Sequence, residues 1–493
     1  MNIADDKSAF AKRVARSFVY SGIGNVLGRV TALVGIVLGV TLLTPGEFGA
    51  ASLGISILAI VRATTEAGLG VALVQARKAS REQIDSLFWT SLFITFGAYL
   101  VVFFVIAPIM GLVYPKFPDI ANLVRGMCFS VALYTFYFIP RAFMERELHL
   151  GRLMVIDNLS FIIATVALYV VAVRGHGAWA FVAFEIGQRG SQAVLSMLVR
   201  PFLPRLHLRF SEIRGMFNFA MYATGSRILF NLYNNVDFLI VGRFFGDTVL
   251  GIYTAAWRVV SEPIRGLAMA VNQVAYPAFA RLQDELPRLR KYFFTINLAS
   301  LAFIGWVLGL VVVYSGPTIR SIQEIPREYE QAIPLIWLFG IKGVLRAIAP
   351  LVPQLLNAAG QSRLNFFYSL TCAIVLPAAF FVGAMFGLRG VVLAWVIGYP
   401  IVVMVLFYFG ALFLEIRPRD MLRAFAGLRI AIPAFLIELG TYLLFKDVIG
   451  LSDGLTAAIG APLSFAGALA LIYWTERDKI AALRGKSAQP AAD

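Results

Sequence analysis

The sequence predicts an all-α integral membrane protein of about fourteen transmembrane helices, in two six-helix lobes followed by two C-terminal helices. Three observations lead there. Of the 493 residues, 59% are hydrophobic and only 14% charged, with a mean hydropathy of +0.78, whereas a soluble domain carries roughly a quarter charged residues. The charges that exist alternate between heavily and sparsely basic loops. A faint echo of one segment also recurs about two hundred residues later.

The deficit of charge extends along the whole chain, which excludes a soluble enzyme with a single anchor. At ~20 apolar residues per crossing there is room for about fourteen spans joined by short loops. The N-terminal stretch MNIADDKSAFAKRVARSF is polar and basic. The apolar run after it is too long for a signal-peptide core and has no A-x-A cleavage context, so it reads as an uncleaved first helix. The spans predicted in order are 18–43, 48–74, 86–113, 120–140, 154–173, 177–199, 216–242, 249–276, 292–315, 331–357, 364–386, 390–413, 428–446 and 455–474.

Scoring the intervening segments by lysine and arginine gives an unbroken alternation. One set (the N-terminal tail, 75–85, 141–153, 200–215, 277–291, 358–363, 414–429 and the C-terminal tail) carries 27 basic residues. The alternate loops carry seven: Lys116, Arg174, Arg243, Arg320, Arg327, Arg389 and Lys446. The positive-inside rule then predicts that both termini are cytoplasmic. No loop exceeds about 17 residues, which leaves no room for an extramembrane catalytic domain. Pro263, Pro350 and Pro353 fall inside spans, where proline frees a carbonyl and permits a bend.

The repeat pairs LTPGEFGAASLGISILAIVRA around Gly49 with GDTVLGIYTAAWRVVSEPIRG around Gly251. Each is a short polar turn with an acid and a glycine, leading into a span with an arginine partway along. A spacing of six spans suggests a parallel duplication, and a substrate path between the two halves. The predicted division is residues 1–200 for the first lobe, 201–414 for the second, and 415–493 for two further spans and a tail.

Other classes fit poorly. Cys128 and Cys372 lie far apart in apolar runs, and His149, His176 and His207 stand singly in loops, so neither a disulfide framework nor a zinc site is expected. The net charge of +15 does not gather on a soluble face, as nucleic-acid binding requires, but is dispersed among loops. No nucleic acid, metal or cofactor is expected.

Ionisable groups within spans are costly, roughly 2.5–3.5 kcal/mol each at a helix centre on insertion scales, and point to function by default. Arg62 with Glu66, Glu185 with Arg189 and Arg258 with Glu262 are four apart and can pair on one helix face, and Glu262 can also reach Arg265. Arg125 and Glu438 lie near span ends or alone, where snorkelling is the cheaper account. Arg29, Arg227, Lys342 and Arg346 have no acid three or four residues away. Their cationic excess suggests a water-filled cavity for an anionic ligand, with arginine forks suited to phosphate oxygens. In FNLYNNVDFLIVGR, residues Asn231, Asn234, Asn235 and Asp237 can bond sugar hydroxyls, hold a coupling cation, or form a polar seam between helices. Glu66 and Asp237 are candidates for carrying a proton or sodium ion.

LTPGEFGAASLG, TTEAGLGVALVQ, SLFWTS at 86–91, NNVDFLIVGRFFGDTVLGIYTAAWRV and QVAYPAFARLQDE resemble the polysaccharide transporter family of bacterial flippases, the Wzx-type oligosaccharide flippases. That family shares a superfamily with multidrug and toxin extrusion exporters and the lipid II flippase. The similarity covers the first 290 residues or so; beyond them it rests on span count and the LLNAAGQSRLN turn. The resemblance implies that spans one, two, seven and eight line a central cleft, placing Arg29, Arg62, Arg227 and Arg258 or Arg265 on the lining helices. It implies alternating-access transport of undecaprenyl-diphosphate-linked repeat units across the bacterial inner membrane, for O-antigen, capsule or exopolysaccharide. The expected partners are the lipid-linked oligosaccharide, membrane lipid, a polysaccharide polymerase and a chain-length regulator. A cation-coupled drug exporter would need an acidic, aromatic pocket, whereas this interior leans basic. A membrane-embedded glycan polymerase would need a sizeable outer loop with catalytic groups, and the largest one, 316–330, shows no such constellation.

Overall fold

Backbone amides inside a bilayer have no water to bond, and the long apolar runs meet that demand as helices. The structure, a computed structural model, describes residues 34–35, 37–65, 73, 80–147 and 149–470, and among these there is no β-strand. The helices are α1 Pro45–Thr65, α2 Arg81–Val113, α3 Ile120–Arg146, α4 Leu150–Val173, α5 Trp179–Val199 and α6 Phe210–Phe245. They continue with α7 Asp247–Leu282, α8 Leu286–Ser321, α9 Arg327–Ala358, α10 Ser362–Ala384, α11 Leu388–Phe413, α12 Leu428–Leu443 and α13 Asp453–Ala470. Each overlaps one of the predicted spans from the second to the fourteenth, and the first lies mostly outside the described residues. Among the described residues, ten helical segments are both long and apolar enough to cross a membrane. The count of fourteen rests on the sequence.

α6 and α7 are each 36 residues, longer than predicted. At ~1.5 Å per residue that exceeds the ~30 Å hydrocarbon core, so both helices have turns to spare beyond one crossing. Gly246 separates them with φ 93°, a left-handed turn that an L side chain would strain.

The chain forms two compact units, residues 1–254 and 255–493. In the first, α5 packs on both α3 and α4, α1 on α3 and α6, and α2 on α3. α2 starts at a capping box: Ser80 Oγ accepts from the Gln83 amide, and the Gln83 side chain accepts from the Ser80 amide. It widens into a π-helical turn at Val102–Ile106 before Pro108, whose ring cannot fit a regular turn and has no N–H to donate. Its outer surface is apolar, with Phe93, Phe104 and Leu112 exposed, as lipid contact requires. Its inner face is polar where it meets α3: Thr95 and Thr135 share a buried hydrogen bond of 2.8 Å.

In the second unit α8 is central, packed on α9, α12 and α13, while α10 and α11 pair and α11 also meets α9. Trp306 of α8 is enclosed with Ala434 of α12 and Ala468 of α13. Of the prolines expected to bend spans, Pro350 interrupts α9 between Ile348 and Leu351, whereas Pro263 lies within the continuous helix α7. Cys128 and Cys372 are buried free thiols.

The two echoed segments meet each other. A Cβ on Gly49 would collide with the Asp247 carbonyl, and one on Gly251 with the Pro45 carbonyl, so the first turns of α1 and α7 touch backbone to backbone. Overpacking such a contact costs about 1–3 kcal/mol or more. Gly49→Val and Gly251→Val are therefore expected to lower the melting temperature of the purified protein. Gly97→Ala, whose Cβ would meet nothing within 4 Å, should leave it nearly unchanged in the same thermal-shift measurement.

Candidate functional site

A charge buried among apolar helices survives only with a partner, so the site is best read from what each predicted ionisable group touches. Arg29 and Glu66 lie outside the described residues. Arg62, in the last turn of α1, reaches across to α3 and α5. It forms an ion pair with Glu185 and donates to Ser130 Oγ at 3.1 Å. The Glu185 carboxylate is 7% exposed. Sequence spacing favoured partners on the same helix; here packing brings Glu185 to Arg62 from another helix. Arg189 instead lies over the Tyr134 ring, 5.2 Å from its centroid, and donates to Gln192 Oε1 at 3.2 Å.

Next to this pair is a polar cluster that the sequence reading did not single out. Tyr137 of α3 donates to Asp157 of α4 at 2.6 Å, and Gln192 of α5 donates to the same oxygen at 2.9 Å. With Arg189 on Gln192, one carboxylate ties three helices together. The signal was available: Asp157 interrupts the apolar run LMVIDNLSFII and falls under the rule that drew attention to the other intramembrane charges. Arg125 behaves as an interfacial arginine, bonded to Asn122 and the Phe103 carbonyl and lying over the Phe103 ring.

On α6, Arg227 is exposed. Asn231, Asn234 and Asn235 each donate to the carbonyl four residues earlier, those of Arg227, Phe230 and Asn231. These bonds use one amide donor apiece. Asp237 is fully buried and accepts from Tyr253 Oη of α7 at 2.6 Å. It thus joins two successive helices, and the asparagines occupy the more open turns before it.

The second unit holds the remaining cations. Arg265 is exposed and paired with Glu262 at 2.6 Å, and Arg258 is half-buried. Lys342 and Arg346, one turn apart on α9, share an aromatic lining. Lys342 Nζ lies 3.2 Å from the Trp395 centroid, with the Phe339 and Trp257 rings at 5.4 and 5.7 Å. The Arg346 guanidinium is 5.7 Å from Trp395 and 5.5 Å from Tyr399. Ring faces are electron-rich, so they favour two like charges that would otherwise oppose each other. Lys342 is 3% exposed. Glu438 departs from expectation: it does not snorkel but is fully buried.

Apolar exteriors enclosing ion-paired and aromatic-lined interiors define a multi-pass α-helical membrane protein. Residues 40–323 match the polysaccharide biosynthesis protein family, over more than half of the chain, and the chain belongs to that family. The teichuronic acid biosynthesis protein TuaB of Bacillus subtilis is 25% identical, the match covering 70% of each chain. The lipopolysaccharide biosynthesis protein WzxC of Escherichia coli is 24% identical, covering 71% of each. A solved structure of the lipid II flippase MurJ in an inward closed conformation has a TM-score of 0.73, at 14% identity. It covers 94% of this chain and 100% of that one, a likeness of fold.

The Arg62–Glu185 pair yields a test. Arg62→Ala strands a buried carboxylate, a loss typically of about 3–5 kcal/mol. Its folded yield and melting temperature are expected to fall, and adding Glu185→Gln should recover most of the loss. If the double variant is as unstable as the two single losses combined, the pair is not coupled.

Proposed function

We propose that this protein is a flippase that moves polyprenyl-diphosphate-linked oligosaccharide repeat units across the bacterial inner membrane for surface polysaccharide assembly. The observation that carries this reading is membership of the polysaccharide biosynthesis protein family over residues 40–323, the segment that holds Arg62, Arg227, Arg258 and Arg265. The relatives named for teichuronic acid and lipopolysaccharide biosynthesis support the substrate class. The fold it shares with a lipid II flippase supports the mode of action. The protein is a transporter and not an enzyme.

The chemistry asks for what these residues offer. A diphosphate taken from water into a bilayer needs replacement donors, and arginine supplies them in a planar fork while keeping its charge. In this proposal Arg29, Arg62, Arg227, Arg258, Arg265, Lys342 and Arg346 provide the positive field along an alternating-access passage. Exposed Arg227 and Arg265 meet the headgroup first, and buried Lys342 acts through its field. Asn231, Asn234 and Asn235 are the proposed contacts for sugar hydroxyls, since an amide side chain both donates and accepts. Glu66 and Asp237 are the proposed coupling-ion contacts. The proposed arrangement has cytoplasmic termini, lobes 1–200 and 201–414, and a further pair of spans in 415–493. A polymerase and a chain-length regulator would act on the delivered product.

Deleting the gene is expected to abolish surface polysaccharide and strand lipid-linked repeat units on the cytoplasmic face. Single repeat units displayed outside would instead indicate a polymerase. In the complemented strain, Arg227→Ala should abolish surface polysaccharide at unchanged protein level in membranes. Unchanged polysaccharide would remove Arg227 from the passage.

A further inference from the structure

Glu438 lies in the second half of α12 and is fully buried. Neither carboxyl oxygen has a hydrogen-bond partner among the described residues. The side chain presses into a notch on α8 that exists because residue 309 is glycine: a Cβ there would collide with Oε2. Five residues further along α8, Tyr314 Oη shares a hydrogen bond of 2.6 Å with Ser464 Oγ of α13. Tyr442, one turn beyond Glu438, stands edge-on to the Tyr314 ring.

No charge balances this carboxyl among the described residues. The titratable groups beside it are the phenols Tyr314 and Tyr442, neutral at physiological pH. The charged groups of α8 are Arg288, Arg290 and Lys291 at its start and Arg320 at its end. The 3-10 segment Pro418–Gly427 before α12 carries Arg419, Asp420 and Arg423, and α12 itself begins with Arg429. Beyond α12 stand Lys446, Asp447 and Asp453, of which Lys446 and Asp453 pair at 3.0 Å. Residues 309 and 320 are ~16 Å apart along α8, and 438 and 446 ~12 Å along their helix, at ~1.5 Å per residue. A carboxylate left alone in this setting lacks both water and a counter-charge, whereas the neutral acid needs no counter-charge and its unmet hydrogen bonds cost far less than a buried ion.

We propose that Glu438 is an exchangeable proton-binding site inside the bilayer, loaded at rest and unloaded during substrate movement. Unloading breaks the carboxyl O–H bond: the electron pair stays on the glutamate oxygen and the proton passes to water. The exit suggested by the fold is the π-helical turn Leu444–Val448, which continues directly from the end of α12, and a second, Thr456–Gly460, whose Gly460 abuts the Tyr314 ring. Such turns break the regular backbone ladder and are frequent at functional sites. The role in transport rests on the flippase reading; the bound proton does not.

The test is infrared difference spectroscopy of the full-length protein in lipid nanodiscs at neutral pH. The wild type should show a protonated-carboxyl C=O stretch that shifts in D2O and is missing from Glu438→Gln. No such band, a band that persists in Glu438→Gln, or one unmoved by D2O overturns the proposal. In cells, Glu438→Gln should lower polysaccharide export about tenfold and flatten its dependence on external pH, with Glu438→Asp retaining both. Export by Glu438→Gln at the wild-type level, with the wild-type pH profile, overturns the coupling. If Glu438→Gln does not accumulate, the band of the wild type carrying 13C-labelled glutamate, compared with Glu438→Asp, decides the matter. If the wild type exports nothing, the flippase reading fails, and the spectroscopy still decides the proton.

Discussion

The structure depends on one constraint: a charge inside a bilayer must find a partner, because no water is there to share it. Four interior ionisable groups meet that demand through side-chain contacts. Arg62 takes Glu185 and Ser130. Asp157 takes a tyrosine and a glutamine. Asp237 takes Tyr253, and Lys342 takes the face of Trp395. These contacts also fix the rotation of each helix about its axis, which apolar surfaces in lipid specify weakly. Polar interactions thus set orientation here as well as chemistry.

The partners differ in what they permit. In an ion pair such as Arg62–Glu185 the carboxylate offsets part of the arginine's field while holding its fork in place. A cation against aromatic rings is held by their electron-rich faces instead of by an opposite charge, as Lys342 and Arg346 are beside Trp395. An exposed arginine such as Arg227 keeps both its charge and its hydrogen-bond donors. The partners therefore grade from opposite charge through ring face to solvent, although residue type alone presents all of these groups as equivalent cations.

That grading marks how far the sequence could be read. Helix positions were legible because hydrophobic length and loop charge are properties of contiguous residues: among the described residues, helices α1 to α13 each lie over a predicted apolar run. Partner choice was not, because it depends on which faces meet after packing. Arg62 and Glu185 are 123 residues apart, and no local spacing rule links them. Glu438 looked free to reach the interface, but its fate was decided by a glycine 129 positions earlier that opens a notch opposite it. Asp157 is legible by the same rule, as a charge that interrupts an apolar run. Pro350 broke its helix and Pro263 did not, a difference of context that proline itself does not encode.

The contact between Gly49 and Gly251 has a further consequence. Each glycine abuts the carbonyl at the start of the other's helix: Gly49 against Asp247, Gly251 against Pro45. This reciprocity, with site one touching site two as site two touches site one, is the mark of an isologous interface between identical subunits. Here the same kind of reciprocity occurs within one chain, between the two echoed segments. What each glycine meets is backbone, which no substitution on the opposite helix can shorten, so a side chain at either position could be accommodated only by moving one helix off the other.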